Sequence, residues 1–324
     1  MRYLSVCSGI EAASVAWEPL GWTPAGFSEV DPFACAVLAH RFPNVKNYGD
    51  MTRHQEWDIG TGAIDVLVGG TPCQSFSVAG LRRGLADPRG NLMLAYLALA
   101  ARARPRWIVW ENVPGVLSSA GGRDFGTFLG ALGDLGYGWA YRVLDAQWVR
   151  TQRHPRAVPQ RRRRVFVVGC LLERCAGDGA APGRVLFERE SVQRHPAPRR
   201  EAGEGAAADV EDGAAIGGWM PNNPGVVSSV CSKWAKGTGG PSGSEHFNLV
   251  AQAMQVRRLT PRECEFLMGL PRDFTLVPYR GKPAKDGPRY KAIGNSMAVN
   301  CMQWIGERIA HHEARQVVEV SRHG

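Results

Sequence analysis

The first 135 residues alternate between short apolar runs and longer segments with helical spacing, and this alternation constrains the fold more than any other feature. The apolar runs that are typical of strands lie at 3–6, 25–28, 64–68 and 107–113. The segments with helical spacing lie at 10–20, 32–42, 92–103 and 125–135. Strands that alternate with helices predict a mostly parallel sheet with helices on both faces. We therefore expect an α/β fold, a Rossmann-like mixed sheet whose ligands bind at the carboxyl edge of its strands.

The pattern changes after residue 135. Two strand-like runs, 139–144 and 165–168, are joined by an arginine-rich loop without a clear helix, which predicts an antiparallel pair at one edge of the sheet. From about 174 to 218 the composition shifts to Gly, Ala, Glu, Arg and Pro, which is typical of a linker or a loosely structured lobe. Short strand signals follow as far as residue 249. We expect a small, irregular, β-rich second domain here.

Regular structure is predicted again near the C-terminus. The run RRLTPRECEFLMGLP, which begins at Arg257, predicts a helix capped by Thr260 with Pro261 at its first position. Residues 296–311 predict a last amphipathic helix.

Composition limits the function classes. A net charge of +9 and a pI of about 9.4 favour an anionic partner, of which nucleic acid is the commonest. No apolar stretch reaches membrane-spanning length, and the N-terminal residues lack the features of a signal peptide. The eight cysteines include no CxxC pair and lie near no His pair at zinc-site spacing. We expect reduced thiols in a cytoplasmic protein that binds neither a metal nor a membrane.

A single cysteine follows the apolar run 63–68 on a constrained loop. Residues 69–77 read GGTPCQSFS, so the strand ends in a glycine pair, then Pro72, then Cys73. Pro72 fixes its own φ and pushes Thr71 toward an extended conformation, so the chain holds Cys73 in a defined direction. A cysteine that only packs in the core would not need a loop restricted in this way. We interpret Cys73 as a reactive thiol at the carboxyl edge of the sheet.

Two carboxylates stand at strand ends. The first βα turn, residues 6–13, has one glycine and is weak evidence for a nucleotide site by itself. Glu29, about 20 residues further on, suits recognition of ribose hydroxyls and, equally well, the start of the next helix. Glu111 ends the run 107–113, where partial burial would raise its pKa and suit a general acid. An exposed acid at a strand end is the commoner case for a lone Glu.

Four consecutive arginines lead into a strand at 165–168. Alternation along the strand places Arg162 and Arg164 on one face and Arg161 and Arg163 on the other. Such a run is usually a solvated or nucleic-acid-facing patch. The presence of two arginine pairs would be explained if one pair faces a site and the other faces phosphate or solvent.

Taken in order, these pieces resemble the bacterial and phage DNA cytosine-5 methyltransferases from residue 3 to about 310, apart from about 171 to 254. The matching motifs are SVCSG (5–9), SEVD (28–31), GD (49–50), GGTPCQSFS (69–77), RGNLM (89–93), ENVPG (111–115), VPQRRRRVFVVG (158–169), RRLTPRE (257–263) and YKAIGNSM (290–297). The resemblance implies a class I methyltransferase fold that uses S-adenosylmethionine and no metal.

The resemblance also implies roles for single residues. Cys73 is similar to the family's nucleophile, and Glu111 to the acid at cytosine N3. Arg162 and Arg164 are similar to the pair that holds the flipped base and its phosphate. Glu29 would bind the ribose hydroxyls of the cofactor and Asp50 its adenine amine. The other residues that we expect around the cofactor are Cys7, Gly9, Ile10, Val30, Met51, Pro72, Leu92, Asn295 and Ser296.

The chain departs from the family pattern in the cofactor region. Cys7 stands where the family usually has Phe, and Glu11 and Ala12 stand where it has more glycine. Val30 replaces an aromatic residue that often stacks on adenine. Phage-type members share the variant SVCSGIEAAS, and the departures concern cofactor affinity more than the reaction.

The implied partner is double-stranded DNA, together with a cognate restriction endonuclease if the chain belongs to a restriction system. The candidate DNA contacts are Gln74, Ser75, Arg89, Gln160, Arg161, Arg163, Arg257 and Arg258. We expect a monomer with a catalytic domain formed by 1–172 and 288–324, and a target-recognition domain formed by 173–287.

Two alternatives stay open at this point. Relatives that act on transfer RNA share the PCQ and ENV motifs, so the same chemistry on tRNA is one. A DNA-binding homologue without turnover is the other, and the departures at Cys7 and Val30 motivate it. A thiol hydrolase is weaker, because no histidine lies in a convincing partner motif.

Overall fold

The computed structural model describes residues 1–72, 91–187, 215–217, 227, 229–232, 249–252 and 255–323. Its first half alternates strands and helices as predicted. The elements are β1 (Arg2–Val6), α1 (Ala12–Trp17), β2 (Thr23–Ser28), α2 (Pro32–Arg41), β3 (Val66–Gly69), α3 (Leu92–Ala103), β4 (Trp107–Asn112) and α4 (Arg123–Asp134). Short 3₁₀ segments follow α1 (Glu18–Leu20), precede β3 (Met51–Glu56) and follow β4 (Pro114–Gly122).

The second half completes the sheet and adds smaller elements. These are β5 (Tyr137–Asp145), β6 (Arg163–Leu171), α5 (Ala181–Leu186), β7 (Ala215–Gly217), β8 (Leu249–Gln252), β9 (Gln255–Arg258), α6 (Pro261–Leu267), β10 (Pro278–Tyr279), β11 (Lys282–Pro283), α7 (Asp286–Asn295) and α8 (Val299–His323). Two 3₁₀ turns flank β6 in sequence, at Ala146–Trp148 and Leu172–Arg174.

Six strands form one mixed sheet in the order β2-β1-β3-β4-β6-β5. β1, β2, β3 and β4 are parallel neighbours, whereas β6 runs antiparallel to both β4 and β5. The predicted antiparallel pair at one edge is therefore confirmed. β7, β8 and β9 form a separate antiparallel sheet. The expected mostly parallel, Rossmann-like architecture with a small β-rich addition is confirmed.

The central strands are buried on both faces. Val66, Val68 and Val109 belong to a core cluster that also holds α1, α2 and α8, while Leu67 and Ile108 belong to a second cluster with α3 and α4. Successive strand residues point to opposite faces, so β3 and β4 read as continuous apolar runs instead of alternating ones. This burial fixes the strand ends, on which the candidate site is built.

Helix starts agree with the local sequence. Asp31 caps α2, since its carboxylate accepts from the N–H groups of Phe33 and Ala34. Asn91 caps α3 in the same way. Thr260 and Glu263 form a capping box at the start of α6. These polar side chains satisfy N–H groups that a helix leaves without intrahelical partners.

Two expectations about the middle of the chain are wrong. The stretch from 174 to 218 contains the helix α5, whose Ala181, Val185 and Leu186 are buried, instead of being linker throughout. A six-residue helix with Pro and Gly has low intrinsic propensity, so tertiary packing decides its conformation. Cys170 and Cys175 form a disulfide, because the 3₁₀ turn Leu172–Arg174 brings their Cα atoms to 6.4 Å. The expectation of free thiols fails for this pair.

The C-terminal elements also differ from the pattern. α7 was not predicted, and the last helix begins at Val299 instead of 296, because Ser296 is extended and ends α7. Among the described residues, none of the helices is both long and apolar enough to cross a membrane. The described part of the chain contains no cluster of His, Cys, Asp or Glu that could hold a metal ion.

Candidate active site

The carboxyl ends of the four parallel strands surround a cavity of about 490 Å³, which is within the usual size of small-molecule sites. The strand ends and the residues after them line it, namely Cys7 and Gly9, 28–31, 70–72 and 111–113, together with 49–51 at the start of the 3₁₀ segment before β3. Ala34, Leu92, Arg162, Arg164, Lys291, Ala292 and Asn295 complete the wall. The topology of the sheet therefore places the site where the sequence predicted it.

The Glu29 carboxylate is held by three main-chain donors. Oε2 accepts from the N–H of Gly9, and Oε1 accepts from the N–H groups of Val30 and Asp31, each at 2.7 Å. Asp31, not Glu29, supplies the side-chain cap of α2. Glu29 nevertheless lies in the N-cap region of α2, because it bonds to the N–H of the cap residue Asp31. A carboxylate has about four acceptor positions, so Glu29 retains capacity for a hydroxyl donor in the cavity.

Cys7 and Met51 form an apolar, sulfur-rich part of the wall. The Cys7 Sγ lies 3.5 Å from the Met51 Sδ, and the backbone of Cys7 has a φ of 48°. Burial, with the nearby Glu29 and Asp50 carboxylates, raises the pKa of the Cys7 thiol to about 12. Cys7 is thus a neutral wall residue at neutral pH. Asp50 caps the 3₁₀ segment that begins at Met51, accepting from the N–H of Thr52 at 2.9 Å.

Glu111 is in β4, at the other end of the row of parallel strands from Glu29, and it forms an ion pair with Arg164 on the cavity wall. Burial raises the pKa of the Glu111 carboxyl, and the positive charges of Arg164 and Arg162 oppose that rise. A Cβ atom on Gly70 would stand 2.9 Å from Glu111 Oε2 and 3.2 Å from Met297 Cε. Only glycine leaves room for the carboxylate in its observed position. The alternative of an exposed acid at this strand end is excluded.

The loop that leads to Cys73 is fixed as far as Pro72 by the end of β4. The indole N–H of Trp110 donates to Thr71 Oγ1 at 2.9 Å, and the Asn112 amide donates to the Thr71 carbonyl at 2.8 Å. Pro72 lines the cavity next to these contacts. Cys73 itself lies outside the described residues, as do Gln74, Ser75 and Arg89.

Arg162 is buried and bonds to main-chain carbonyls from two segments. Its guanidinium donates to the carbonyls of Val230, Gly294 and Ser296, at 3.0, 3.1 and 2.5 Å. Burial, aided by the charge of Arg164, lowers the pKa of Arg162 to about 9. Arg162 therefore ties the end of α7 and the segment at 230 to the cavity wall.

The alternation of the four arginines is as predicted, since Arg161 and Arg163 are exposed while Arg162 is buried and Arg164 is largely buried. Arg258 is exposed, and the side chain of Arg257 lies outside what the structure describes. Both remain candidate contacts for a macromolecular partner.

Gln160 does not fit the prediction of a DNA contact, because it is fully buried. Its amide donates to the carbonyl of Leu267 at 2.7 Å and accepts from the N–H of Val230 at 2.9 Å. A buried amide that bonds to the main chain of two segments holds those segments together, and its side chain is not accessible to DNA.

Most predicted cofactor residues meet at the cavity. Those that line it are Cys7, Gly9, Glu29, Val30, Asp50, Met51, Pro72, Leu92 and Asn295. Ile10 and Ser296 do not line it. Ile10 is fully buried in the core, and the Ser296 hydroxyl donates to the Met297 carbonyl. Their side chains point away from the cavity because neighbours in sequence alternate between the cavity and the interior.

Sequence reasoning missed a link across the cavity. Lys291 Nζ lies 2.6 Å from Asp31 Oδ2, and both residues line the cavity from opposite elements, α7 and the start of α2. Each residue stands within a matching motif, 290–297 and 28–31. The two motifs converge on the carboxyl edge of the sheet and contain residues of opposite charge. This combination could have been used to predict the pair from the sequence.

The family model for C-5 cytosine-specific DNA methylase matches residues 1–212 and 222–311. The chain belongs to this family. The resemblance drawn from the motifs is therefore confirmed. The chain is 35% identical over 478 aligned residues to the DNA N-6-adenine-methyltransferase of Escherichia phage P1. This alignment covers 97% of this chain and 62% of the phage protein. It is 29% identical to the type II methyltransferase M2.BsuMI of Bacillus subtilis, covering 96% and 75%.

The fold of this cytosine methylase family member is shared with solved methyltransferases. The Dnmt2 methyltransferase of S. pombe superimposes with a TM-score of 0.65 at 16% identity, covering 98% of this chain and 99% of that one. At this identity the likeness establishes the class I methyltransferase fold alone. The chain spans 62% of the length of its phage P1 relative, so the comparison covers that protein only in part.

Proposed function

We propose that this chain is an S-adenosylmethionine-dependent DNA cytosine-5 methyltransferase that acts through a covalent adduct at Cys73. The observation that carries the proposal is the buried Glu111–Arg164 pair, on the wall of a cavity that also contains Pro72. Such a pair provides an acid and a fixed positive charge in the same cavity as Pro72, the residue that precedes the candidate nucleophile. Membership of the C-5 cytosine-specific methylase family supports the same reaction.

The residues of the cavity fit S-adenosylmethionine. Glu29 and Asp50 offer carboxylate acceptors, Gly9 offers a wall without a side chain, and the volume of about 490 Å³ is large enough for a ligand of that size. We propose that Glu29 binds the ribose hydroxyls and Asp50 the adenine amine. When bound, this cofactor supplies an electrophilic methyl group on a sulfonium.

The protein's own residues would carry the remaining steps. The Cys73 thiolate adds to carbon 6 of the cytosine, which converts the ring into an enamine that is nucleophilic at carbon 5. Glu111 donates a hydrogen bond or proton at N3 and so stabilises the charge that the addition develops. After carbon 5 is methylated, a base removes its proton, the carbon–sulfur bond breaks, and Cys73 leaves as thiolate. Nearby positive charge, such as that of Arg164, favours the thiolate form.

The substrate that we propose is duplex DNA with one cytosine turned out of the helix, which costs a few kcal/mol of unstacking. The exposed Arg161 and Arg163, with Arg257 and Arg258, would offset this cost through the phosphates. We propose target recognition within 173–287 and catalysis within 1–172 and 288–324. The packing of α5 against β5 and α8 favours extending the first catalytic segment as far as Leu186. We propose a cytoplasmic monomer, with a cognate endonuclease as partner in a restriction system.

A second candidate function is methylation of the adenine N6 amine, and the activity named for the phage P1 relative favours it. An exocyclic amine can attack a sulfonium methyl directly, so this reaction needs no thiol nucleophile. The two functions therefore differ in their dependence on Cys73 and in the modified base.

Methyl transfer from labelled S-adenosylmethionine tests the proposal directly. We expect label in duplex DNA, 5-methylcytosine on nucleoside analysis, and loss of at least about 10³-fold in rate for Cys73→Ala. Cys264→Ala, which removes a free thiol of α6 that does not line the cavity, is the matched control and should keep its activity.

Three results would contradict the proposal. Full activity of Cys73→Ala with N6-methyladenine as product would establish the second function. A transfer RNA that accepts label while duplex DNA does not would make this an RNA methyltransferase. Failure of wild-type protein to form a covalent complex with an oligonucleotide containing 5-fluorocytosine would exclude the adduct.

A further inference from the structure

The connection between β5 and β6, residues 146–162, leaves the sheet at the edge where the cavity lies. Its ends are joined, since the Ala146 N–H donates to the Arg162 carbonyl at 3.0 Å and Asp145 pairs with Arg163. In the register of β4 and β6, Asn112 opposes Val165. The start of β6 therefore lies beside the carboxyl end of β4, and whatever approaches Glu111 also approaches this connection.

The inner side of the connection is fixed by Asn300 of α8. The Asn300 amide donates to the carbonyls of Ala146 and Val149, each at 2.8 Å, and Asn300 is fully buried. These bonds fix the first turn of the connection on the core. The residues that follow therefore begin from a defined position.

A second anchor holds the middle of the connection. Gln303, also buried, accepts from the Thr151 hydroxyl at 3.0 Å and lies 3.1 Å from His154 Nδ1. The N–H groups of Thr151 and His154 each donate to the other residue's carbonyl, at 3.2 Å. Thr151 and His154 thus point inward and are bonded, whereas Arg150 and Arg153 are exposed on the outer side.

The outer side is basic and has no acidic residue. The sequence from 150 to 164 contains neither Asp nor Glu. Its exposed arginines are Arg150, Arg153, Arg156, Arg161 and Arg163. Within the part of the chain that the structure describes, neither Arg150 nor Arg153 has a carboxylate within ion-pair distance. Arg150 and Arg153 are therefore positive charges without a counter-charge among the described residues, and an anionic partner would supply one.

We propose that Arg150 and Arg153 bind backbone phosphates of the DNA that flanks the flipped cytosine, together with the exposed Arg161 and Arg163 of the same connection and the strand that follows it. The inference rests on the proposed function, because it takes DNA as the polymer at the cavity. Phosphate contacts from guanidinium groups fix the position of a duplex and do not read its sequence. A loop already ordered by Asn300 and Gln303 loses little conformational entropy on binding.

The test compares two double variants with the same loss of charge. Arg150→Gln/Arg153→Gln removes the proposed contacts. Arg2→Gln/Arg104→Gln removes two positive charges at the opposite edge of the sheet, where β1 and β4 begin. DNA affinity of each is measured by fluorescence anisotropy between 50 and 200 mM salt, alongside S-adenosylmethionine affinity and methyl transfer at saturating DNA.

Two lost phosphate contacts should make the slope of log K against log salt shallower by about 1.8. The affinity advantage of wild type over Arg150→Gln/Arg153→Gln should therefore shrink about tenfold across that salt range. The control should keep the wild-type slope, and both variants should keep cofactor affinity and the rate at saturating DNA.

A wild-type slope for Arg150→Gln/Arg153→Gln, in a protein that methylates DNA, would overturn this inference and leave the proposed function intact. An equal loss of slope in Arg2→Gln/Arg104→Gln would reduce the effect to net charge and overturn it also. A wild-type protein that neither binds nor methylates DNA would remove the proposed function, and this inference with it.

Discussion

The Glu111 Oε1 atom lies 3.0 Å from Arg164 Nε, and the two side chains are only 12% and 16% exposed. They come from adjacent antiparallel strands, β4 and β6, and meet on the cavity wall. Two opposing effects set the pKa of the carboxyl in a partly buried ion pair, because burial favours the neutral carboxyl and the guanidinium favours the charged one. Burial is the larger effect at Glu111, so its pKa is raised despite the arginine.

Arg164→Gln should raise the pKa of Glu111 further, because it removes the charge that opposes the effect of burial. If Glu111 acts as an acid, the enzyme is active with the carboxyl protonated and loses activity as the pH rises through that pKa. The alkaline limb of kcat/KM should therefore move to higher pH in the variant, with kcat lower by about 10²-fold. Profiles of methyl transfer between pH 5 and 9 check this, and a limb that moves to lower pH would exclude the acid role.

Gly70→Ala should reduce catalysis more than stability. The new Cβ would stand 2.9 Å from Glu111 Oε2, so the carboxylate must move, and a displacement of about 1 Å can cost about 10²-fold in rate. Single-turnover methyl transfer and thermal unfolding measured together separate the two effects. Gly60→Ala is the control, because a Cβ there meets nothing within 4 Å. Equal rates for Gly70→Ala and wild type would mean that the position of the carboxylate is unimportant.

Lys291→Gln should weaken cofactor binding in a salt-dependent way. The ion pair with Asp31 joins α7 to the start of α2 across the cavity, and an exposed pair is worth about 0.2–1 kcal/mol. We expect a dissociation constant for S-adenosylmethionine raised by up to about fivefold at low salt, with the difference shrinking at high salt. Isothermal titration calorimetry at 20 and 500 mM salt measures it. Lys46→Gln, which breaks the Lys46–Asp58 pair outside the cavity lining, should bind as wild type does.

Glu11→Gln should stabilise the protein at neutral and alkaline pH. Burial raises the pKa of Glu11 from its usual 4.5 to about 7, so the folded state binds a proton more tightly than the unfolded chain. Stability is then highest below about 4.5, falls as the pH rises towards 7, and stays low above it. A difference of this size corresponds to about 3 kcal/mol, since one pKa unit is about 1.4 kcal/mol.

Urea unfolding at pH 5, 6, 7 and 8 tests this dependence. Glu11→Gln should be the more stable protein at pH 8, and its advantage should be much smaller at pH 5. The exposed Glu18→Gln should follow wild type at every pH. A Glu11→Gln protein with the same pH dependence as wild type would show that the carboxyl is not the titrating group.

Local pattern was sufficient for the elements that are buried on two faces or capped by polar side chains. β3 and β4 are continuous apolar runs, and α3 matches its predicted range because Asn91 caps it and Arg104 ends it in a left-handed conformation. The helices α5 and α7 were missed since both contain Pro and Gly, and packing against the sheet and α2 decides their conformation.

The sequence by itself determined the order of strands and helices in the first 135 residues, the family, and the segments that converge on one edge of the sheet, because periodicity and motif order are local properties. Only the tertiary structure decided which neighbouring side chains face the cavity and which face the interior. Gln160 and Ile10 are buried beside residues that line the site, and Lys291 meets Asp31 across 260 positions of sequence. These contacts depend on how the strand ends and α7 pack together in space. The order of residues in the sequence does not specify the distances between side chains that are far apart along the chain.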